Sequence, residues 1–250
     1  MRHNTTDYTR QVSQEFGAHA DDYDDHSGLQ EKVASELITY CPNFKEYQSV
    51  RILEIGCGTG HFTQRLLDKY PNAECIITDI SPDMLDVCRV KCGEGENIVH
   101  HVMNGENITP ELGKFDLIVS SMAVQWFQTP TASVEKLAMQ LRDGGVLALS
   151  TLADGYWPEW RGSLRKNNVS STLIVPPRLP DEMSVDRHIF IERYNSSLDF
   201  LRRLEKTGAS TPVSDAPELT VKELRPVMRT HNNDFDSQIT WHIAIGHWQP

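Results

Sequence analysis

Short apolar runs alternate with amphipathic stretches between residues 29 and 151. Residues 29–40 place apolar side chains at helical spacing, and the apolar run 50–55 stops abruptly at a group of glycines. The same reading predicts further strands at 74–79, 97–102, 115–121 and 146–151, with helices at 61–70, from Ser81 onward and at 131–145. Strands that alternate with helices form a parallel, doubly wound sheet, so the pattern predicts an α/β fold.

The regular alternation ends after Thr151. Residues 153–182 are rich in aromatic, proline and basic residues and are too long for an ordinary connection, so we expect a lid insertion after the fifth strand. The remaining chain resumes a regular pattern, with a strand predicted at 187–193, helices at 197–207 and 220–230, and an alternating last strand at 238–248.

Length and composition favour a single domain. The 250 residues are 39% hydrophobic, enough for one sizeable core. We divide the chain into an N-terminal flap and helix (1–45), a core (46–152), the lid insertion (153–182) and a C-terminal completion of the sheet (183–250). The polar N-terminus has no signal-peptide pattern, and the sequence has no run of apolar residues long enough for a membrane span.

Charge and cysteine usage narrow the range of partners and compartments. The net charge of −11 argues against a nucleic-acid partner. Five cysteines with no zinc or disulfide spacing indicate a reducing cytoplasm. Cys88 and Cys92 lie one helical turn apart, but two small residues on a helix face explain this spacing better than a metal pair. We therefore expect a cytoplasmic monomer with no metal and no membrane association.

The strongest chemical signal is the sequence LEIGCGTG at residues 53–60. Glycines directly after a strand let a ligand approach the backbone, and the following helix offers free N–H groups. The spacing is G-x-G-x-G, whereas a pyrophosphate-binding loop has G-x-G-x-x-G. Glu54 would repel a pyrophosphate but suits a ligand with an ammonium and a sulfonium. The loop therefore favours a cationic adenosyl ligand.

Two further residues fit an adenosyl ligand. Asp79 ends the second strand, where an acid hydrogen-bonds ribose hydroxyls. Met84 follows at a position suited to an adenine face. The alternatives are a helix-capping role for Asp79 and a core position for Met84, because methionine often fills gaps in cores. The glycine loop upstream favours the cofactor interpretation for both.

Three segments resemble the motifs of class I methyltransferases: ILEIGCGTG, TDISPDML and FDLIVSSMAVQW. More narrowly, they resemble the malonyl-acyl-carrier-protein methyltransferases of biotin synthesis, and FGAHADDYDDHSGLQ, STLADGYWPEW and TWHIAIG extend this resemblance over nearly the whole chain. The resemblance implies a Rossmann-like, seven-stranded, mostly parallel sheet with an antiparallel last strand. It also implies S-adenosylmethionine as cofactor and S-adenosylhomocysteine as product.

The resemblance implies a set of cofactor-binding residues. These are Tyr23, Glu54, Gly56, Cys57, Gly58, Gly60, Asp79, Ile80, Met84, Asn104, Gly105, Glu106, Ser120 and Ser121. Asn104 stands where an aspartate is usual, but an amide oxygen still accepts a hydrogen bond from the adenine amino group. Gln14 and His19 stand where relatives often carry arginine, so the N-terminal flap of this chain is not anchored by arginine at these two positions.

Methyl transfer to a carboxylate needs positioning and a dry pocket, since the acceptor is already ionised at neutral pH. Tyr23 and Trp126 are the candidate orienting residues at the catalytic centre, and Gln30, Trp126 and Arg178 are candidate substrate contacts. Packing roles for Tyr23 and Trp126, a surface role for Gln30 and a solvated-loop role for Arg178 are the alternatives.

The resemblance implies methyl-ester formation on malonyl-acyl-carrier protein, with malonyl-CoA as another carrier of the same group. Carrier protein is acidic, so docking requires local positive charge. The candidate docking patch consists of Arg161, Arg165, Lys166, Arg202, Arg203 and Lys206. A methyltransferase for a free small acid or a natural-product intermediate is the first alternative. A non-catalytic cofactor-binding partner protein is the second.

Overall fold

The computed structural model describes residues 5–45, 49–170, 174–209 and 219–250. Eight α-helices are found there: α1 Thr5–Gly17, α2 Gly28–Leu37, α3 His61–Lys69, α4 Pro82–Cys92, α5 Pro130–Ala138, α6 Pro158–Lys166, α7 Ser197–Lys206 and α8 Val221–Phe235. The strands are β1 Arg51–Ile55, β2 Glu74–Asp79, β3 Ile98–Val102, β4 Phe115–Ser121, β5 Leu141–Leu152, β6 Ser184–Arg193 and β7 Gln238–Trp248.

The strands form one seven-stranded sheet in the order β3-β2-β1-β4-β5-β7-β6. All pairs from β3 to β5 are parallel, and β7 runs antiparallel to both β5 and β6. The predicted mostly parallel sheet with an antiparallel last strand is therefore confirmed. Strand order reverses between β1 and β4, and ligands of open α/β sheets bind at the carboxyl ends of the strands at such a point.

Helices cover both faces of the sheet, because the central strands are apolar on both sides. One face packs Ile52 and Ile77 against α2, α3 and the helices of the C-terminal third. The other face packs Leu53 and Ile118 against α5. No helix in the described ranges combines the length and apolar character needed to cross a membrane.

The strand predictions at 74–79, 115–121 and 238–248 are confirmed to the residue. The helix predicted over 131–145 is too long, since α5 ends at Ala138 and β5 begins at Leu141. Leu141 pairs with Phe115 in the sheet. Gly144 has a φ of +75°, which a right-handed helix does not allow. These constraints place residues 141–145 in the strand.

Part of the segment 153–182 is regular structure. It contains α6, whose Trp160 and Leu164 are buried in the core beside Phe200 and Val227. The Glu159 carboxylate ties this helix to β7, accepting hydrogen bonds from the backbone N–H and the hydroxyl of Thr240. Residues 171–173 lie outside the described residues. A covering role for the segment stays a prediction.

Candidate functional site

The glycine loop after β1 lies at the point where strand order reverses. Gly56 and Gly58 have φ values of +70° and +54°, backbone conformations that residues other than glycine rarely adopt. A Cβ on Gly56 would lie 2.5 Å from the Cβ of Ala123, so the close approach of two loops requires glycine there. A Cβ on Gly58 would meet no atom within 4 Å and would project into open space. The backbone at Gly58 is therefore accessible to a ligand.

Asp79, at the end of β2, is held against this loop. One carboxylate oxygen accepts a 2.8 Å hydrogen bond from the N–H of Gly58, and the other accepts one of 2.8 Å from the N–H of Ser81. Burial raises the pKa of Asp79 to about 6, although the backbone hydrogen bonds act in the opposite direction. Because a carboxylate has about four lone-pair sites, Asp79 can accept hydrogen bonds from further donors.

A cavity of about 950 Å³ opens above the loop and Asp79. Thirteen of the predicted site residues line it: Tyr23, Gln30, Gly56, Cys57, Gly58, Asp79, Ile80, Met84, Asn104, Gly105, Glu106, Ser121 and Trp126. The cavity thus brings together the glycine loop, the acid that ends β2 and the residues after β3 and β4.

Three predicted cofactor residues do not line this cavity. Glu54 is buried behind the loop, where Thr63 donates a 2.8 Å hydrogen bond to one carboxylate oxygen and burial raises the pKa of the acid. A Cβ on Gly60 would lie 2.7 Å from the sulfur of Cys92, so this glycine serves the packing of α4. Ser120 donates a hydrogen bond to the carbonyl of Ile55. Each supports the cavity from behind.

The residues after β3 line the cavity and also form hydrogen bonds to the start of α5. The side-chain oxygen of Asn104 accepts a hydrogen bond from the N–H of Glu106, and the carboxylate of Glu106 accepts from the N–H groups of Gln128 and Thr129. Gly105 lies between Ile55 and Phe127, where a Cβ would come within 2.3 Å and 2.9 Å of side-chain atoms. This narrow wall suits a flat ring such as adenine.

These features fit an adenosyl ligand. The open space at Gly58 receives an approaching ligand, Asp79 has lone pairs for ribose hydroxyls, and Met84 and Phe127 offer apolar surface for a base. Among the described residues, those that line the cavity include neither lysine nor arginine, so none of them is a cation suited to a phosphate. No group of three or more His, Cys, Asp or Glu side chains in the described part of the chain is arranged to hold a metal ion.

A second cavity, of about 630 Å³, adjoins the first. The two share Phe16, Tyr23, Gln30, Met122 and Trp126. The rings of Phe16 and Trp126 meet edge to face with centroids 5.2 Å apart. Tyr23, Gln30 and Trp126, the candidate orienting and substrate residues, therefore lie at the junction of the two cavities.

Aromatic rings form the far wall of the second cavity. Trp157 meets Phe200 and Trp241 edge to face, with centroids 5.1 Å and 5.0 Å away. Trp157 and Ile174 are the contributions of segment 153–182 to this lining. The three rings make this wall apolar.

Arg203 is the one Lys or Arg among the described residues that line the second cavity. Its guanidinium stands over the ring of Tyr194, 5.5 Å from the centroid, and its Nε lies 3.4 Å from Asp199. The Glu192 carboxylate nearby is already occupied by Lys32 at 3.0 Å and by the Tyr194 hydroxyl at 2.7 Å. Arg203 pairs with Asp199 through Nε alone, which leaves its two terminal nitrogens without a hydrogen bond to the described residues and open to an acidic ligand.

Arg178, the predicted substrate cation, lines neither cavity. Its guanidinium pairs with Asp181 at 3.1 Å, and 78% of its side chain is exposed. The six docking-patch residues lie on two helices, α6 and α7. Arg161 stands over the Tyr156 ring, while Lys166 and Lys206 pair with Asp234 and Asp22; the exposed members are Arg165, Lys166, Arg202, Arg203 and Lys206.

Sequence reasoning missed one wall of the first cavity, which α1 provides. Tyr8, Val12 and Phe16 line it together with Thr9. The three larger side chains recur every four residues, which is the spacing of one helix face, so the signal was present in the sequence. The polar composition of this stretch obscured it. Gln14 and His19 lie beside this wall but do not line the cavity.

Comparison with known proteins agrees with this geometry. A family model described as "Methyltransferase domain" matches residues 52–145. The biotin biosynthesis bifunctional protein BioCD of Bordetella avium is 34% identical over 96% of this chain, which spans 52% of that protein, about half of its length. The malonyl-[acyl-carrier protein] O-methyltransferase of Magnetococcus marinus is 30% identical, over 94% of this chain and 90% of that protein.

The fold also matches a solved structure, that of the plantazolicin methyltransferase BpumL in complex with SAH. The TM-score is 0.50 at 15% identity, over 95% of this chain and 94% of that one. The sheet order and the glycine loop agree with the family of the Magnetococcus marinus relative, of which this chain covers 90%. The chain belongs to the malonyl-[acyl-carrier protein] O-methyltransferase family of S-adenosylmethionine-dependent methyltransferases.

Proposed function

We propose that this enzyme methylates the free carboxyl group of a malonyl thioester held on acyl carrier protein, forming a methyl ester for biotin precursor synthesis. One observation carries the proposal beyond the family relationship. A second cavity has aromatic walls and, among its described lining residues, one Lys or Arg, namely Arg203; it meets the cofactor cavity at Tyr23, Gln30 and Trp126. This arrangement suits an acidic acceptor in the second cavity whose carboxylate faces the methyl donor in the first.

The cofactor cavity has a residue for each part of the donor. Asp79 would hold the ribose hydroxyls, and the backbone of Gly56 and Gly58 would contact the methionine portion. Glu54 lies behind the loop, where its carboxyl group accepts a hydrogen bond from Thr63. Bound S-adenosylmethionine supplies an electrophilic methyl group on a sulfonium.

The protein's contribution to the reaction is orientation and exclusion of water. A malonyl carboxylate is ionised well below neutral pH, so no side chain has to remove a proton. Tyr23 and Trp126 line the junction, and their polar hydrogens would orient the attacking carboxylate oxygen. Negative and positive charges cancel during the transfer, and the apolar walls favour that change over separated, hydrated ions.

We assign the acceptor carboxylate to Arg203, because Arg178 is exposed and paired outside both cavities. A guanidinium can hold one carboxylate oxygen while the other faces the methyl group. Gln30 supplies an amide at the junction for the thioester carbonyl. The ring of Tyr194 beneath the guanidinium limits its motion.

The carrier protein would dock over α7. Arg203 belongs both to this helix and to the lining of the second cavity, and Arg202 and Lys206 flank it on the exposed surface. Local positive charge of this kind attracts an acidic partner even to a protein of net charge −11. The group on α6, Arg161, Arg165 and Lys166, is the competing docking surface.

The setting we propose is a cytoplasmic monomer. Cys41, Cys57, Cys75, Cys88 and Cys92 are all free thiols in the structure, as expected in a reducing compartment.

The acceptor is tested with labelled S-adenosylmethionine and a panel of acids. Malonyl-acyl-carrier protein, malonyl-CoA, free malonate and an unrelated small carboxylic acid are compared by kcat/KM. We expect the carrier-bound acceptor to exceed malonyl-CoA by roughly tenfold or more, because docking on α7 adds complementary charge. Equal or better turnover of a free acid would overturn the carrier assignment, and absence of transfer to any acceptor would favour a non-catalytic cofactor-binding protein.

A further inference from the structure

Residues 18–27 connect α1 to α2 and cross the junction of the two cavities; we name them the Tyr23 turn. Tyr23 is buried against Ala20 and Met84, and it lines both cavities. Its hydroxyl forms no hydrogen bond with the described residues, and burial raises its pKa, so it remains a protonated donor. The position of this hydroxyl therefore depends on how the turn is held.

Asp24, the next residue, makes a dense set of contacts with the cofactor-binding elements. One carboxylate oxygen accepts a 2.5 Å hydrogen bond from the Thr59 hydroxyl in the glycine loop and lies 3.2 Å from Nε2 of His61 at the start of α3. The other oxygen pairs with the ammonium of Lys91 near the end of α4, at 2.7 Å. A single carboxylate thus joins three elements to the turn.

A neighbouring contact reinforces the same attachment. The Ser27 hydroxyl lies 2.7 Å from Nε2 of His61. On the other side of Tyr23, Asp22 pairs with Lys206 of α7 at 2.6 Å. The two ends of the attachment differ, however. The side chains of Asp22 and Asp24 are similarly exposed, at 38% and 41%, but Asp22 forms a single exposed pair with Lys206, and such pairs contribute little, whereas Asp24 has several partners around one carboxylate.

We propose that Asp24 is a positioning residue. It fastens the Tyr23 turn across the cofactor cavity, and it thereby sets both the residence time of the cofactor and the position of the Tyr23 hydroxyl. The inference deepens the proposed function, because Tyr23 orients the acceptor there, but cofactor retention can be measured without any acceptor. Asp24 lines neither cavity, so its effect passes through the turn.

The first test measures cofactor retention. Dissociation of S-adenosylhomocysteine from the full-length protein is followed by stopped-flow tryptophan fluorescence, with affinity measured by calorimetry. Asp24→Asn keeps the shape of the side chain but removes its charge, and we expect dissociation to be roughly tenfold faster, since charge-assisted contacts are lost. Asp25→Asn, at the exposed neighbouring position, is the matched control and should match the parent.

Two further variants change residues that contact the Asp24 carboxylate. Thr59→Val and Lys91→Gln each remove one contact of the carboxylate, and each should accelerate dissociation by roughly two- to fourfold, less than the change at Asp24. They decide the question if Asp24→Asn fails to fold. Unchanged dissociation from folded Asp24→Asn, or from both partner variants, would overturn the proposal.

The second test asks whether Asp24 acts through Tyr23. In a double-mutant cycle on kcat with malonyl-acyl-carrier protein, Tyr23→Phe should already cause most of the loss, so adding Asp24→Asn should change kcat little. Fully additive losses would overturn the link to Tyr23. If the parent transfers no methyl group to any acceptor, the proposed function fails, while the dissociation rates still decide the role of Asp24 in cofactor retention.

Discussion

The Asp79 carboxylate accepts a 2.8 Å hydrogen bond from the backbone N–H of Gly58, so the acid that ends β2 is fixed against the loop that ends β1. Because the second oxygen is held by the N–H of Ser81, the carboxylate is oriented before any ligand arrives. A preoriented acceptor loses little side-chain freedom when it binds ribose hydroxyls.

Replacing Asp79 by Asn should weaken S-adenosylhomocysteine binding by roughly ten- to hundredfold, about 1.4–3 kcal/mol, the scale of lost charged hydrogen bonds. An amide also presents N–H groups toward the backbone donors that the carboxylate satisfies. Calorimetry measures the change, with Asp86→Asn on the exposed face of α4 as control. Parent-like affinity in Asp79→Asn would remove the ribose assignment.

Cofactor affinity should depend on pH through the same residue. In the ligand-free chain the pKa of Asp79 is raised to about 6 by burial. Hydroxyl donors stabilise the carboxylate and lower its pKa in the complex, so binding releases a proton and affinity should rise between pH ~5 and ~7 and then level off. The pH dependence should flatten in Asp79→Asn. A pH-independent affinity of the parent would contradict this linkage.

The raised pKa of Asp79 also determines the direction in which the free energy of unfolding changes with pH. The folded chain holds the Asp79 proton more tightly than the unfolded chain, so this residue's contribution to the free energy of unfolding should decline as pH rises from ~4 to ~6. Denaturant titrations of parent and Asp79→Asn without ligand isolate the effect as a difference. A parent that gains stability relative to the variant across this window would contradict the sign.

Arg203→Gln should raise KM for malonyl-acyl-carrier protein by roughly tenfold, about 1.4 kcal/mol, because the acceptor carboxylate loses its guanidinium partner. Affinity for S-adenosylhomocysteine should not change, since Arg203 does not line the cofactor cavity. The control is Arg202→Gln, at the exposed neighbouring position, which should raise KM much less with malonyl-CoA as acceptor. Equal effects of the two variants on malonyl-CoA would show that Arg203 acts only in docking.

Charge reversal separates the two candidate docking helices. Arg202→Glu with Lys206→Glu on α7 should raise KM for the carrier-bound acceptor several-fold at low salt, because rim charges act mainly on association, and the effect should diminish at high salt. The matched pair on α6, Arg165→Glu with Lys166→Glu, should have a smaller effect. A larger effect of the α6 pair would move the docking surface to that helix.

Gly105→Ala tests the narrow wall after β3. The new Cβ would lie 2.3 Å from a methyl carbon of Ile55 and 2.9 Å from the Phe127 ring, so those side chains must shift at the cavity wall. We expect a loss of cofactor affinity together with about 1–3 kcal/mol of stability, the usual cost of overpacking. Gly28→Ala, where a Cβ meets nothing within 4 Å, is the control for the substitution itself.

Local patterns predicted the cofactor half of this enzyme well. A parallel strand buried on both faces is a short apolar run, and β2 and β4 were therefore found with their observed bounds. Glycines after a strand and an acid ending the next strand are also local signals, and the structure brings Gly58 and Asp79 into direct contact.

Contacts between distant segments were harder to predict. The charge of Glu54 suggested direct cofactor contact, but the alternation of the strand directs this side chain toward α3, where Thr63 donates a hydrogen bond to it. Arg178 lines neither cavity for a similar reason, because which cation reaches a cavity depends on how distant segments pack against each other. The sequence of a single segment does not contain that information.

The two cavities are lined largely by different segments of the chain. The lining of the first ends at Phe127, whereas most of the wall of the second, from Leu152 to Trp241, comes from the C-terminal half. Acceptor choice can therefore diverge while the donor site stays intact. A chimera that keeps residues 1–151 and takes its remaining chain from a related methyltransferase should retain donor binding and adopt the acceptor preference of its C-terminal parent.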